Sequence, residues 1–264
     1  MAIPNLTNPL RAKLRSGRTT YGMWITLESA TVTEICAETG FDWVCIDMEH
    51  GCLDFKDVLQ HLRAAKGSDL SVLVRVPTTT VDSVKKALDL GAAGILLPLI
   101  SSAAQLEEAF RFARYPSLGE RGIGGERAAH WGLALEAYVA AANTETMVIP
   151  LIETAGASRN IDEILSVSGL EAVFFGPADL SQSYGHMAVW EGPGVADDIV
   201  RMTNLAIKRG ITPGIIGRGF DDIAKRESQG FRMIGLGSDV GAMMKQIRQY
   251  MTKLRGNALE SAWF

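Results

Sequence analysis

The chain has little cysteine: Cys36, Cys45 and Cys52 are the only three in 264 residues. The number is odd and no Cys-x-x-Cys spacing occurs, so the three read as reduced and structural rather than as staples, metal ligands or redox groups. Long apolar runs are missing too; none approaches the roughly 18 residues that cross a bilayer. Residues 1–18, MAIPNLTNPLRAKLRSGR, carry basic side chains without the apolar centre and small-residue cleavage site of a secretory signal. They read as a short amphipathic lead-in helix, and the expected location is cytoplasmic. Positive charge is not in excess: 26 basic residues stand against 30 acidic ones, the net charge is −4, and the basic residues are scattered. That leaves no footprint for nucleic acid or an acidic membrane surface and favours small-molecule partners. The glycine-rich stretches GERGIGGER and GIIGRG match neither G-x-x-x-x-G-K-[ST] nor G-x-G-x-x-G between a strand and a helix, so no organic cofactor is expected.

What is present is alternation. With 47% hydrophobic residues, the chain repeats short β-branched apolar runs followed by longer stretches of helical period. The runs fall at 21–27, 43–48, 72–76, 94–99, 147–152, 172–175, 212–216 and 233–237. The helical stretches fall at 31–39, 54–65, 81–90, 103–113, 161–166, 197–209, 220–227 and 241–254. The strand runs are apolar at nearly every position, as parallel strands covered on both faces must be. Eight of each, with no linker or low-complexity segment, predict a single α/β domain over residues 1–264, a (β/α)8 TIM barrel with an extra N-terminal helix. One connection, RYPSLGERGIGGERAAHWGLALEAY, is too long for a routine loop and reads as functional or interfacial.

Barrel chemistry gathers at the C-terminal ends of the strands, and polar residues interrupt the apolar runs there. The second run ends in Asp47, Glu49 and His50, the third in Arg75, the fifth in Glu153, and the sixth leads to Asp179. The first brings Trp24. A single acid in such a place is as well read as a helix cap. Glu153 and Asp179, on consecutive strands with oxygen-only surroundings, together suit a hard divalent cation that keeps waters and takes further ligands from substrate. Arg75, inside VLVRVP, needs an anionic partner, whether Asp47, Glu49 or a substrate oxygen. His50, the one histidine at a strand end, suits proton transfer near neutral pH. A Schiff-base mechanism needs a lysine in the barrel mouth, yet all nine lysines fall in predicted helices or loops.

The segments GFDWVCIDMEHG, VRVP, LDLGAAGILLPLI, RYPSLGERGIG, LIET and FFGPADLS, in this order, resemble the HpcH/HpaI family of metal-dependent 2-keto-acid aldolases, which includes 4-hydroxy-2-oxoheptanedioate aldolase and 2-keto-3-deoxy-L-rhamnonate aldolase. The resemblance covers residues 18–255. It implies a carbon–carbon lyase that reversibly cleaves a 4-hydroxy-2-keto acid to pyruvate and an aldehyde through a metal-bound pyruvate enolate. By position it implies Glu153 and Asp179 as ligands of Mg²⁺, Mn²⁺ or Co²⁺, and Arg75 on the keto oxygen. His50 would serve in proton transfer with Asp89 as its orienting partner, within one chain or across a subunit boundary. Gly176, Pro177 and Ala178 would receive the pyruvate carboxylate, Trp24 would wall the pocket, and Arg121 would reach toward the aldehyde half, in its own or an adjacent subunit. It further implies a homo-oligomer, a hexamer built as a trimer of dimers, with the C-terminal helix exchanged between subunits. The end, NALESAWF, is compatible with packing on its own barrel or on a neighbour.

One departure is Met48, where many members carry glycine; a longer side chain beside His50 stands to narrow or turn the pocket. Two rivals share the residues. An oxaloacetate decarboxylase or macrophomate-synthase-like enzyme would use the same metal enolate, and a silent barrel would only bind a keto acid. Intact Glu49, His50, Arg75, Glu153 and Asp179 argue against the second.

Overall fold

The computed structural model describes residues 6–256; the terminal NALESAWF, with Trp263 and Phe264, lies outside the described residues. Eight parallel strands close into a barrel in sequence order. They are β1 (Thr20–Ile25), β2 (Trp43–Asp47), β3 (Ser71–Arg75), β4 (Gly94–Leu97), β5 (Met147–Ile152), β6 (Ala172–Phe175), β7 (Thr212–Ile216) and β8 (Met233–Ser238). The expected strands are all present, with ends moved by a residue or two. β4 stops two residues early, at Leu97, where the chain goes on to left-handed backbone at Leu99, φ 56°.

Strand alternation divides the core in two. Trp43, Cys45, Leu73, Leu96, Ile149, Leu151, Phe174 and Met233 fill the barrel, whereas Val44, Ile46, Val74, Ile95, Leu97 and Val173 face outward to the helices. Phe174 meets the edges of Trp24 and Trp43 at centroid distances of 5.7 and 6.0 Å. Beside Trp43 only glycine fits at position 22, where a Cβ would fall 2.0 Å from the indole.

Helix α1 (Pro9–Arg15) is the lead-in helix, capped by Asn8. Its Leu10 and Leu14 join the interior cluster and close the N-terminal end of the barrel, about 1.5–3 kcal/mol for each fully buried leucine. Arg11 fixes it there through Glu145 (3.1 Å) and Glu171 (2.7 Å). The outer layer is α2 (Ala30–Glu38), α3 (Phe55–Ala64), α4 (Val81–Asp89), α5 (Ala103–Ala113), α6 (Leu135–Glu145), α7 (Ala155–Arg159), α8 (Ile161–Ile164), α9 (Pro177–Ser183), α10 (Val195–Lys208), α11 (Phe220–Ser228) and α12 (Asp239–Arg255). Side-chain caps from Asp54, Thr80, Ser102, Thr154 and Ser238 start α3, α4, α5, α7 and α12 just beyond the strand ends.

Pattern reading missed α6, α7 and α9. The latter two are too short to show a period, and α6, LEAYVAAANTE, buries only Ala142. The long connection also carries structural ties: Arg127 donates to the carbonyls of Leu90 (2.5 Å) and Leu62 (3.0 Å), joining the ends of α4 and α3. Helix α12 buries only Asp239 and Gly241 and leaves Met243, Ile247, Tyr250 and Leu254 exposed along one face. No helix among the described residues is long and apolar enough to cross a membrane.

Candidate active site

Asp47 and Arg75 end adjacent strands in direct register. Asp47 is 2% exposed and accepts four hydrogen bonds: Oδ1 accepts the N–H groups of Glu49 (3.0 Å) and His50 (3.2 Å) and Nε of Arg75 (2.9 Å), while Oδ2 accepts Nη2. Nη1 of Arg75 lies 3.0 Å from Oε2 of Glu49. The guanidinium is thus gripped from two sides, and its Cζ lies over the Trp24 ring, 4.6 Å from the ring centre. Burial works against its charge, but the bond to Asp47 and the charges of Asp47 and Glu49 outweigh burial and hold its pKa above the ordinary value. Asp47 takes two of the five N–H donors, and the approach to Glu49 is an ion pair without a hydrogen bond, so three N–H groups remain for a ligand.

Across the mouth, Glu153 follows β5 and is 3% exposed. Its Oε1 accepts the peptide N–H of Leu99 at 2.7 Å. A Cβ on Gly176 would lie 3.0 Å from its Oε2 and 3.9 Å from Oδ2 of Asp179, so both carboxylates border the same glycine. Burial pushes the Glu153 pKa up to about 7; the Leu99 bond opposes this, and the charges of Asp179 and Glu49 add to it. Glu49 is likewise raised, by burial first, against the pull of Arg75 and His50. Four carboxylates, Asp47, Glu49, Glu153 and Asp179, therefore share the barrel mouth with one guanidinium. This deficit of positive charge and the oxygen-only donors fit a hard divalent cation at Glu153 and Asp179. Among the described residues no group of three or more His, Cys, Asp or Glu side chains forms a metal cluster, so the remaining ligands would come from water and substrate.

The other expected residues divide. Trp24, 5% exposed, floors the site beneath Arg75. The His50 side chain is 65% exposed, with Nε2 4.0 Å from Oε2 of Glu49. In the turn after β6, the amide of Gly176 donates to the Ile152 carbonyl at 3.2 Å and Pro177 has none. Ala178 is then the one of the three to bring an N–H from the first turn of α9, where helical acceptors are missing.

Asp89 and Arg121 are elsewhere. Asp89 ends α4, which runs back from the mouth to the start of β4, so it belongs to the opposite rim and does not orient His50 of its own chain. Arg121 does not reach the mouth either. Its side chain is fully buried, bonded to Asp89 (2.8 Å) and the Tyr138 hydroxyl (3.1 Å), and lies 4.7 Å from the Tyr115 ring centre. Met48 is a second correction: strand alternation turns it outward, where it packs against the layer between barrel and helices instead of narrowing the pocket. Leu99 was missed, because a backbone N–H at a strand end carries no sequence signal.

The family model described as HpcH/HpaI aldolase/citrate lyase matches residues 20–245. The chain belongs to this family. Among HpcH/HpaI relatives, it is 36% identical over 256 residues to a hydroxypyruvate/pyruvate aldolase of Paraburkholderia phytofirmans, covering 94% of this chain and 98% of the relative. It is 38% identical over 237 residues to a 4-hydroxy-2-oxovalerate aldolase of Novosphingobium aromaticivorans, covering 88% of each. A crystal structure of a family protein from Burkholderia cenocepacia superposes with a TM-score of 0.89 at 33% identity, over 94% of this chain and 100% of that one. As an aldolase of the HpcH/HpaI family the protein is a lyase, and none of its eight strands carries a lysine.

Proposed function

We propose that this protein cleaves a 4-hydroxy-2-keto acid to pyruvate and an aldehyde, reversibly, with Mg²⁺, Mn²⁺ or Co²⁺ at Glu153 and Asp179. The carrying observation is the pair of carboxylates bordering Gly176 beside the clamped Arg75. A divalent cation held there supplies Lewis acidity toward the oxygens of a 2-keto acid.

The chain's own residues account for the rest. Arg75, held by Asp47 and Glu49, directs its remaining N–H groups at the oxygen where negative charge grows as the C3–C4 bond breaks. Its partners and the Trp24 floor keep it in place, so little reorganisation accompanies the reaction. His50 accepts the C4 hydroxyl proton; the electron pair of that O–H becomes the aldehyde C=O, and the C3–C4 pair passes toward the keto group. The His50 imidazolium then returns its proton to C3, which gives the pyruvate methyl. Glu49, 4.0 Å from the His50 ring, accompanies the imidazolium charge. The Ala178 N–H is placed for the substrate carboxylate.

Asp89 and Arg121 can act on this chemistry only from a second copy, since they occupy the opposite rim of their own barrel. The exposed stripe Met243, Ile247, Tyr250 and Leu254 supports a homo-oligomer in which α12 packs on a neighbour, and the reading is a hexamer, a trimer of dimers. Ile247→Glu should lower the sedimentation mass and the activity together; an unchanged mass defeats this assembly.

The decisive measurement is ¹H/²H exchange of the pyruvate methyl group with Mn²⁺ and with EDTA. Exchange is expected with the metal and lost without it, and lost also in Glu153→Ala and Asp179→Ala. Exchange that survives complete metal removal overturns the metal reading. The relatives named above are aldolases, which favours aldol cleavage over the decarboxylase reading. Release of CO₂ from oxaloacetate with no aldehyde-dependent cleavage would reverse that preference.

A further inference from the structure

The backbone at Leu99 is the departure from rule nearest the site. A non-glycine residue in left-handed backbone costs roughly 1–2 kcal/mol, and such residues persist where their surroundings over-determine them. Here they do. Leu99 N–H is bonded to Glu153 at 2.7 Å, and its carbonyl accepts the Ser101 hydroxyl at 3.3 Å. That hydroxyl also meets Thr154 at 2.9 Å, and the Ser101 carbonyl accepts Nδ2 of Asn160 at 2.8 Å. Two residues of the turn after β4 thus grip the consecutive pair Glu153 and Thr154.

The grip explains the backbone but not the side chain. Glycine or asparagine would adopt φ 56° at lower cost and donate the same N–H. Leu99 gains little from burial, for its side chain is 59% exposed while its neighbour Ile100 is 1% exposed. A strained, exposed leucine stands on the lip of the barrel beside a carboxylate of the site, and its backbone cannot swing it away.

We propose that Leu99 is a specificity-determining residue, a fixed apolar wall for the aldehyde half of the substrate that favours an uncharged aliphatic chain over a short hydroxylated one. The assignment rests on the aldolase reading above, and the test separates the two. Pyruvate methyl exchange needs no aldehyde, whereas condensation does. Condensation of pyruvate with butanal and with glycolaldehyde is measured on the Mn²⁺-loaded protein, its Leu99→Asn and Leu99→Gly variants, both suited to left-handed backbone, and Leu99→Met.

The ratio of kcat/KM for butanal to that for glycolaldehyde should fall about tenfold in the Asn and Gly variants, mainly through KM for butanal. Leu99→Met should restore it, and methyl exchange in all three should fall less than about threefold. A ratio unmoved in both the Asn and Gly variants, with exchange intact, overturns the proposal alone. Exchange lost as steeply as condensation overturns it in favour of a purely positioning role toward Glu153. Absence of exchange in the unmodified protein overturns the aldolase reading itself.

Discussion

Arg75 donates its Nε to Asp47 at 2.9 Å while its Cζ lies 4.6 Å from the centre of the Trp24 ring. Asp47 is 2% exposed, so removing its partner strands a buried carboxylate. Arg75→Ala should therefore cost about 3–5 kcal/mol of stability as well as methyl exchange. Arg75→Lys keeps the charge without the fork and should recover stability more than exchange. Chemical denaturation alongside exchange rates checks both, and equal recovery would deny the guanidinium a role beyond its ion pair.

Gly176 has φ −103°, which any residue adopts, so its constraint is space. An alanine methyl would fall 2.9 Å from Cβ and 3.0 Å from Oε2 of Glu153. Gly176→Ala should fold and yet bind Mn²⁺ on the order of 10–100-fold more weakly. Titration of Mn²⁺ by electron paramagnetic resonance reads this; unchanged affinity would show that Glu153 moves without consequence.

Met48 packs on the outer layer. Met48→Ala should lower stability by about 1–2 kcal/mol, less than truncation at a fully buried site, and leave the butanal-to-glycolaldehyde ratio in place. A shifted ratio would return Met48 to the pocket.

His61, between α3 and α2, is fully buried with Nδ1 2.7 Å from the Thr33 hydroxyl. Burial lowers its pKa, against the opposing charges of Asp57 and Asp239. A histidine that binds its proton less readily when folded contributes stability that is complete above about pH 6.5 and lost as pH falls through its lowered value. Melting temperatures between pH 7.5 and 5 should therefore drop more steeply for the unmodified protein than for His61→Gln. Parallel curves would contradict this.

The division between chain and fold is clear at particular residues. Trp43 to Asp47 could be read as a strand because every position is apolar until the last, and the turn that follows announced Glu49 and His50. Eight such runs fixed the barrel, since parallel strands must be covered on both faces. The short helices α7 and α9 escaped because five and seven residues, two turns at most, are too few to show a period.

By itself the sequence determined the strands, the residue types at their C-terminal ends, and the want of a lysine there. Those are one-dimensional facts: an apolar run ending in a charge reads the same in any context. Which charges meet is a matter of distance, and that only the tertiary structure decided. It sent Asp89 and Arg121 to the far rim, because a helix following a strand runs back along the barrel. It turned Met48 outward, because neighbouring positions of a strand face opposite ways. It aimed the N–H of Leu99 at Glu153 through a backbone twist that no side chain encodes.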